Sequence, residues 1–284
     1  PLAFIISKIK RVPLIYDSHE LWSESHHEKN NQMLIGFAKK VELYLAKDAN
    51  AIVTVSESIA RHLEILFINK NVTVIKNTPS YTHDGHFDIF REKYKIGTST
   101  PIFIYQGLIS EERGVRLIFD ALEGMSKNTP YVFIFLGAGP YLVVLKELIV
   151  FHELTNRIFL EDFVAQEDLL KYTSSADVGI HALDRSCLNH EYCLPNKVFE
   201  YVQAGIGMIC PDLVELKSFV NKFKLGSLYE SGNVIELRAA IERYINHPEE
   251  IERAKESALK SKTVLHWSVE EEKLMKLYLG TFNP

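Results

Sequence analysis

The stretch "PIFIYQG" (101–107) runs through apolar residues and stops on a glycine, and "YVFIFLG" (131–137) repeats that plan. Strands with no polar alternation belong in sheets covered on both faces. Similar short apolar runs recur along the chain, separated by amphipathic segments. Such strand–helix alternation dictates parallel sheets joined by right-handed crossovers. Strands are expected at Leu14–Asp17, Ala51–Val55, Val72–Lys76, Ile102–Gln106, Val132–Leu136, Arg157–Leu160, Val178–His181, Met208–Cys210 and Ser227–Tyr229. Helices are expected near Met33–Lys47, Glu57–Phe67, Val115–Glu123, Tyr141–Phe151, Gln166–Ser174, Pro195–Ala204, Val214–Asn221 and Val234–Ile245. The tail "SVEEEKLMKLYLGTF" reads as a further helix capped by Ser268.

The punctuation divides the pattern. "NTPSYTHDGH" and "KIGTST" form a turn-rich boundary near residues 80–100. The strands beyond it suffice for a complete doubly wound domain, 98–262, and residues 263–284 form a terminal helix crossing back to the first domain. The strands before it are too few, so 1–97 reads as the second half of a similar unit that has lost its opening part. The expected fold class is α/β: two Rossmann-like, doubly wound parallel-sheet domains, the first incomplete.

Composition removes several function classes. At 284 residues, 46% hydrophobic and 24% charged, the chain is of ordinary globular make-up. A net charge of −5 argues against nucleic acid as a partner. No apolar run reaches the roughly 18 residues of a membrane span, and no secretory leader is visible. Cys187, Cys193 and Cys210 show no zinc-site spacing and read as free thiols in a reducing, cytoplasmic setting. "HELWSESHHE" gathers His19, Glu20, Glu24, His26 and His27 without metal-ligand spacing, so no metal is expected. The helix "MLIGFAKKVELYLAK", with Lys39, Lys40 and Lys47, packs on its domain or rests against the inner face of a membrane.

Ligands of open parallel sheets bind beyond the carboxyl ends of the strands. The residues to weigh are therefore those that follow strands. His19 closes the first strand and is a structural group or a general base. Arg113, beside Gly114, opposes the dipole of the helix it precedes; an anion or a neighbouring Glu111 or Glu112 answers that mismatch. "GAGP" carries Gly137 and Gly139 but lacks a third glycine, so a tight turn and a phosphate contact both fit it. "LPNKVFEYVQAG" (194–205) has Pro195 at its start and Gly205 at its stop. Val198, Phe199 and Val202 share one side of that helix, and Asn196, Lys197 and Glu200 the other. The polar side is a solvated face, or a seat for a phosphate-bearing ligand whose hydroxyls reach Glu200.

"YDSHELWSE", "VTVSESIARHL", "YQGLISEERG", "GAGP", "LPNKVFEYVQAG" and "KLGSLYESG" stand in the order found in GT-B glycosyltransferases. The chain resembles the large retaining family often numbered four, and within it bacterial cell-surface polysaccharide enzymes, from about Pro13 to Tyr278. The resemblance implies a nucleotide-diphosphate-sugar donor on the second domain and a glycan or lipid-linked acceptor on the first. It matches Glu200 to the glutamate on the donor ribose, Arg113 to a basic residue at the diphosphate, and His19 to the histidine near the reacting sugar. It places the loop at Phe163 by the nucleotide base. The sequence departs from the family where a partner glutamate would stand at Tyr192, with Glu191 one position off. It departs again at Leu108, a position commonly basic, whose charge Lys197 would supply. The expected function is metal-independent glycosyl transfer in surface polysaccharide synthesis, by a cytoplasmic protein. The alternatives are a nucleotide-sugar-binding fragment without turnover and a sugar-nucleotide epimerase of the same fold. A nicotinamide dehydrogenase is disfavoured, because no dinucleotide fingerprint is complete.

Overall fold

The computed structural model describes residues 2–25, 32–68, 70–81 and 85–282. Its contacts divide the chain into two units, and each is described by itself. The first comprises residues 1–77, 185–194 and 267–284; the second comprises 78–184 and 195–266.

The first unit holds a parallel sheet of β1 (Ile15–Ser18), β2 (Ala51–Thr54) and β3 (Val72–Val74), in that order. The central strand β2 is buried throughout, whereas the flanking β1 and β3 are mostly half-buried. Ser56 starts the helix Glu57–Leu66 by accepting the Ile59 amide, the ordinary work of a serine at this place. Residues 185–194 are tied in by polar contacts: the Leu21 amide donates to Asn189 Oδ1 at 2.8 Å and Ser56 Oγ to the Tyr192 carbonyl at 2.7 Å. The helix Trp267–Phe282 joins the same unit through Glu270, a buried carboxylate that accepts from the Lys76 amide and from Lys273 Nζ. It begins at Trp267, so Ser268 sits inside its first turn rather than capping it.

The second unit is built on β4 (Ile102–Gln106), β5 (Val132–Leu136), β6 (Ile158–Glu161), β7 (Val178–Ile180), β8 (Gly207–Pro211) and β9 (Gly226–Tyr229). The sheet is parallel in the order β6-β5-β4-β7-β8-β9. Renumbered within the unit this is 3-2-1-4-5-6, the doubly wound dinucleotide-fold order, in which strand order reverses between β4 and β7. β4, β5, β7 and β8 are buried along their whole length, as their unbroken apolar runs require. Helices supply the cover. Val115, Ile118, Phe119 and Leu122 bury one stripe of Val115–Glu123 against Phe103, Phe133 and Phe135.

Residues 78–97 fall with the second unit, so the units part after Asn77 rather than after residue 97. The reason is a short helix, Ile89–Tyr94, that the sequence pattern does not announce. Its Phe90 packs edge-on against Tyr172, and Arg91 donates to Asp177 Oδ2 at 2.8 Å. Asp177 also accepts from the Ile102 amide and from Lys255 Nζ, and so anchors the start of the sheet from three sides. Lys255 belongs to Pro248–Ser261, a second helix that the sequence reading passes over. All nine expected strands appear.

Candidate functional site

The reversal between β4 and β7 opens the crevice where a sheet of this order receives a ligand. The loop leaving β4 passes through Gly107, Leu108 and Ile109 into a turn, Glu111–Arg113, and then the helix Val115–Glu123. Gly114 lies against Ala182, just beyond β7, so the loop closes over the reversal. Arg113 ends the turn with its side chain exposed. Among the described residues no carboxylate pairs with it; Glu111 and Glu112 do not answer its charge.

The helix Asn196–Ala204 brings the second cation. Pro195 precedes it in extended geometry as its cap, rather than as its first helical residue. Val198, Phe199 and Val202 are buried as the periodicity expects. Asn196 is exposed, but Lys197 and Glu200 are half-buried and turn in toward the sheet. Lys197 Nζ sits 4.0 Å from the centre of the Tyr105 ring and against the backbone at Gly107. The aromatic face is a favourable seat for an ammonium. Burial pushes its pKa down to about 7, and the nearby Arg113 guanidinium pushes the same way; Glu200 and Cys210 pull against them. Burial likewise raises the Glu200 carboxyl, opposed by a hydrogen bond from Gln106 and by the Lys197 charge. The helix carries no acidic residue in its first turn, so its free N–H groups and both cations present one electropositive region.

Beneath Glu200 lies a relay that the sequence reading misses. Gln106, the buried last residue of β4, donates from Nε2 to Glu200 Oε2 at 2.5 Å. Its Oε1 accepts from Thr173 Oγ1 at 2.7 Å. Thr173 is fully buried on the helix Gln166–Ser174. Nothing in an apolar strand end or a mid-helix threonine marks these side chains as other than core.

The remaining candidates separate. Gly137, at φ 147°, and Gly139 line the loop after β5, and each is filled by protein backbone. A Cβ at Gly137 would stand 2.0 Å from the Gly107 carbonyl oxygen, and one at Gly139 would stand 2.2 Å from that of Ile109. The two loops are also joined by hydrogen bonds from the Gly107 amide to Leu136 O and from the Ile109 amide to Ala138 O. Close packing of the two loops accounts for both glycines. Phe163 is exposed on the loop after β6. His19 is exposed in the first unit, its Nε2 3.2 Å from Asp17 Oδ2. His26 and His27 lie outside the described residues. Among the described residues no three metal-ligating side chains converge, and no helix is long and apolar enough to cross a membrane.

The family model described as "Glycosyl transferases group 1" matches residues 86–261. No curated protein matches the chain in sequence. Several hundred solved chains match it in structure. One is HepE from Anabaena, solved with UDP: 17% identical, TM-score 0.77, over 98% of this chain and 75% of that one. TarM from S. aureus, also solved with UDP, is 17% identical with a TM-score of 0.71, over 96% of this chain and 51% of its own. The pneumococcal O-GlcNAc transferase GtfA, solved with UDP and GlcNAc, is 13% identical with a TM-score of 0.75, over all of this chain and 55% of its own. The chain thus spans about half the length of TarM and of GtfA. At these identities the likeness is one of fold, and the fold shared is GT-B.

Proposed function

The chain belongs to the group 1 glycosyl transferases, and from that premise we propose that it moves a sugar from a nucleotide-diphosphate-sugar donor to a glycan or lipid-linked acceptor. The transfer retains anomeric configuration and serves the synthesis of surface polysaccharide. The donor sits on the second unit. Its diphosphate lies at Arg113, Lys197 and the start of the helix Asn196–Ala204, its ribose hydroxyls at Glu200, and its base beside Phe163. UDP in the HepE, TarM and GtfA structures supports a uridine donor as the first to try.

The observation that carries this reading is the state of Lys197. In the free protein burial disfavours its ammonium first, and the nearby Arg113 guanidinium disfavours it further. Such an arrangement is unfavourable alone and favourable around a diphosphate. Glycosyl transfer passes through an oxocarbenium-like state as the diphosphate departs. Donors already aimed at the leaving oxygens stabilise that state without reorganising. Each charge-assisted hydrogen bond contributes roughly 1.5–3 kcal/mol, so two such donors change a rate by several orders of magnitude. The cations do the work a divalent metal would do elsewhere. Lys197 takes the part of the basic residue absent at Leu108. His19 acts on the reacting sugar; the family resemblance supports that role, and its exposure just beyond β1 is compatible with it.

Titration of the chain with UDP and UDP-sugars, with and without divalent metal, tests the proposal. Binding that is unchanged by chelator, and lost on Glu200→Ala, supports it. Failure of every nucleotide diphosphate to bind contradicts it. Binding without sugar transfer to any acceptor would leave a nucleotide-sugar-binding protein, and conversion of donor alone would reveal an epimerase.

A further inference from the structure

A carboxylate that reads a pair of ribose hydroxyls must be ionised and must keep acceptor capacity facing the ligand. Glu200 has surroundings that work against the first requirement. It is half-buried on a helix whose other side is core, and burial works against its charge. What it has is a side-chain amide beneath it. An amide has two ends, and only its N–H end suits a carboxylate. Turned over, Gln106 would set its carbonyl oxygen against Glu200 Oε2 at hydrogen-bond distance, an arrangement only a protonated carboxyl could satisfy.

The Thr173 hydroxyl favours the first orientation when it donates to Gln106. It lies within donating distance of Gln106 Oε1 at 2.7 Å and of the Leu169 carbonyl at 2.8 Å. While its proton goes to Gln106, the amide is held with Nε2 toward Glu200. The helices Gln166–Ser174 and Asn196–Ala204 pack together, and Gln106 at the end of β4 reaches both through these hydrogen bonds. Gln106 and Thr173 are both shut off from water, so no solvent molecule competes for the amide. Glu200 Oε1 has no protein partner among the described residues and remains for the ligand.

From this juxtaposition we infer that Gln106, clamped by Thr173, is the positioning residue that orients the Glu200 carboxylate to accept a pair of nucleotide hydroxyls. It does not itself touch the ligand. The inference rests on the nucleotide reading above and adds the device by which that site tells a ribonucleotide from its deoxy analogue.

The test compares UDP with 2′,3′-dideoxy-UDP by calorimetry, on the unaltered chain, on Gln106→Leu, on Thr173→Val and on both together. The unaltered chain should favour UDP by about tenfold or more, the worth of a hydrogen bond to a charged group. In Gln106→Leu that preference should fall to about twofold, with dideoxy-UDP affinity nearly unchanged. Thr173→Val should lower the preference part-way, and the double variant should be no worse than Gln106→Leu, because the two act in series. A purely structural role would weaken both nucleotides alike and leave the ratio intact; that result, or no change at all, overturns the inference while the nucleotide site stands. An unaltered chain that binds both nucleotides equally, or neither, overturns the assignment of Glu200 and the inference with it. If Gln106→Leu does not fold, Thr173→Val reads the same ratio.

Discussion

Two strand ends in this molecule carry candidate chemistry, and they are made differently. At the end of β1, Asp17 and His19 stand exposed and hydrogen-bonded to one another. After β4, Lys197 lies over Tyr105 and Glu200 against Gln106, itself held by a buried threonine. The strands behind them differ in the same sense: β4 is buried throughout, β1 mostly half-buried. A side chain in water keeps its hydration and its freedom. A side chain pressed into a fully covered sheet gives up hydration in advance, and its electrostatics strengthen as solvent leaves. The β4 end therefore suits recognition of a fixed charge pattern, and the β1 end suits a group that moves to a reacting atom.

That contrast can be broken first at the backbone. Gly137→Ala would drive a Cβ into the Gly107 carbonyl and force an L residue to φ 147°. The expected loss is about 3 kcal/mol or more, or roughly 6–12 °C in the melting temperature of a domain this size. A change below 1 °C by calorimetry would show that the two loops are not locked. The next effect is on binding. Lys197→Met should weaken UDP by about tenfold to a hundredfold, while thermal stability of the free protein holds or rises, since a costly charge has been removed. Equal losses of binding and stability would make Lys197 a packing residue.

The pH dependence sharpens the same point. The folded pKa of Lys197, about 7, lies below its ordinary value. Between the two, the folded chain binds fewer protons than the unfolded, so folding stability should rise with pH in that window. Binding runs the other way. A diphosphate needs the ammonium, so UDP affinity should decline as pH climbs above about 7. Phosphate, with its second pKa near 6, is already ionised there and does not confuse the reading. Lys197→Met should flatten both trends; a decline that persists in the variant belongs to another group. The smallest effect belongs to the exposed strand end. His19→Ala should leave UDP affinity within about twofold and lower only the turnover, since the residue is exposed and outside the unit that carries the nucleotide site. A large loss of UDP affinity in this variant would erase the distinction between the two ends.

The strands were legible because each is an apolar run short enough to be nothing else. Missed helices failed for opposite reasons. Ile89–Tyr94 buries a single Phe90 and is too short to show a period. Pro248–Ser261 buries Ile251 but otherwise Ala254, Ala258 and Ser261, small residues that do not register as an apolar stripe. At the site, Arg113, Lys197 and Glu200 could be marked out because charge interrupts the apolar pattern where strands end. Gln106 and Thr173 could not: their meaning lies in a hydrogen bond across 67 residues of sequence. The glycines of "GAGP" were visible, but whether they admit a ligand or a neighbouring loop is decided only by what packs beside them.

The central claim is that a diphosphate docks at Lys197 and the nearby Arg113. Calorimetric titration of uridine, UMP and UDP into the unaltered chain and into Arg113→Ala/Lys197→Met, with chelator present, tests it most directly. The expected result is a stepwise gain with each phosphate, UDP binding about a hundredfold more tightly than uridine, and loss of most of that gain in the double variant. Uridine and UDP binding alike, or a phosphate gain that survives removal of both cations, would contradict it.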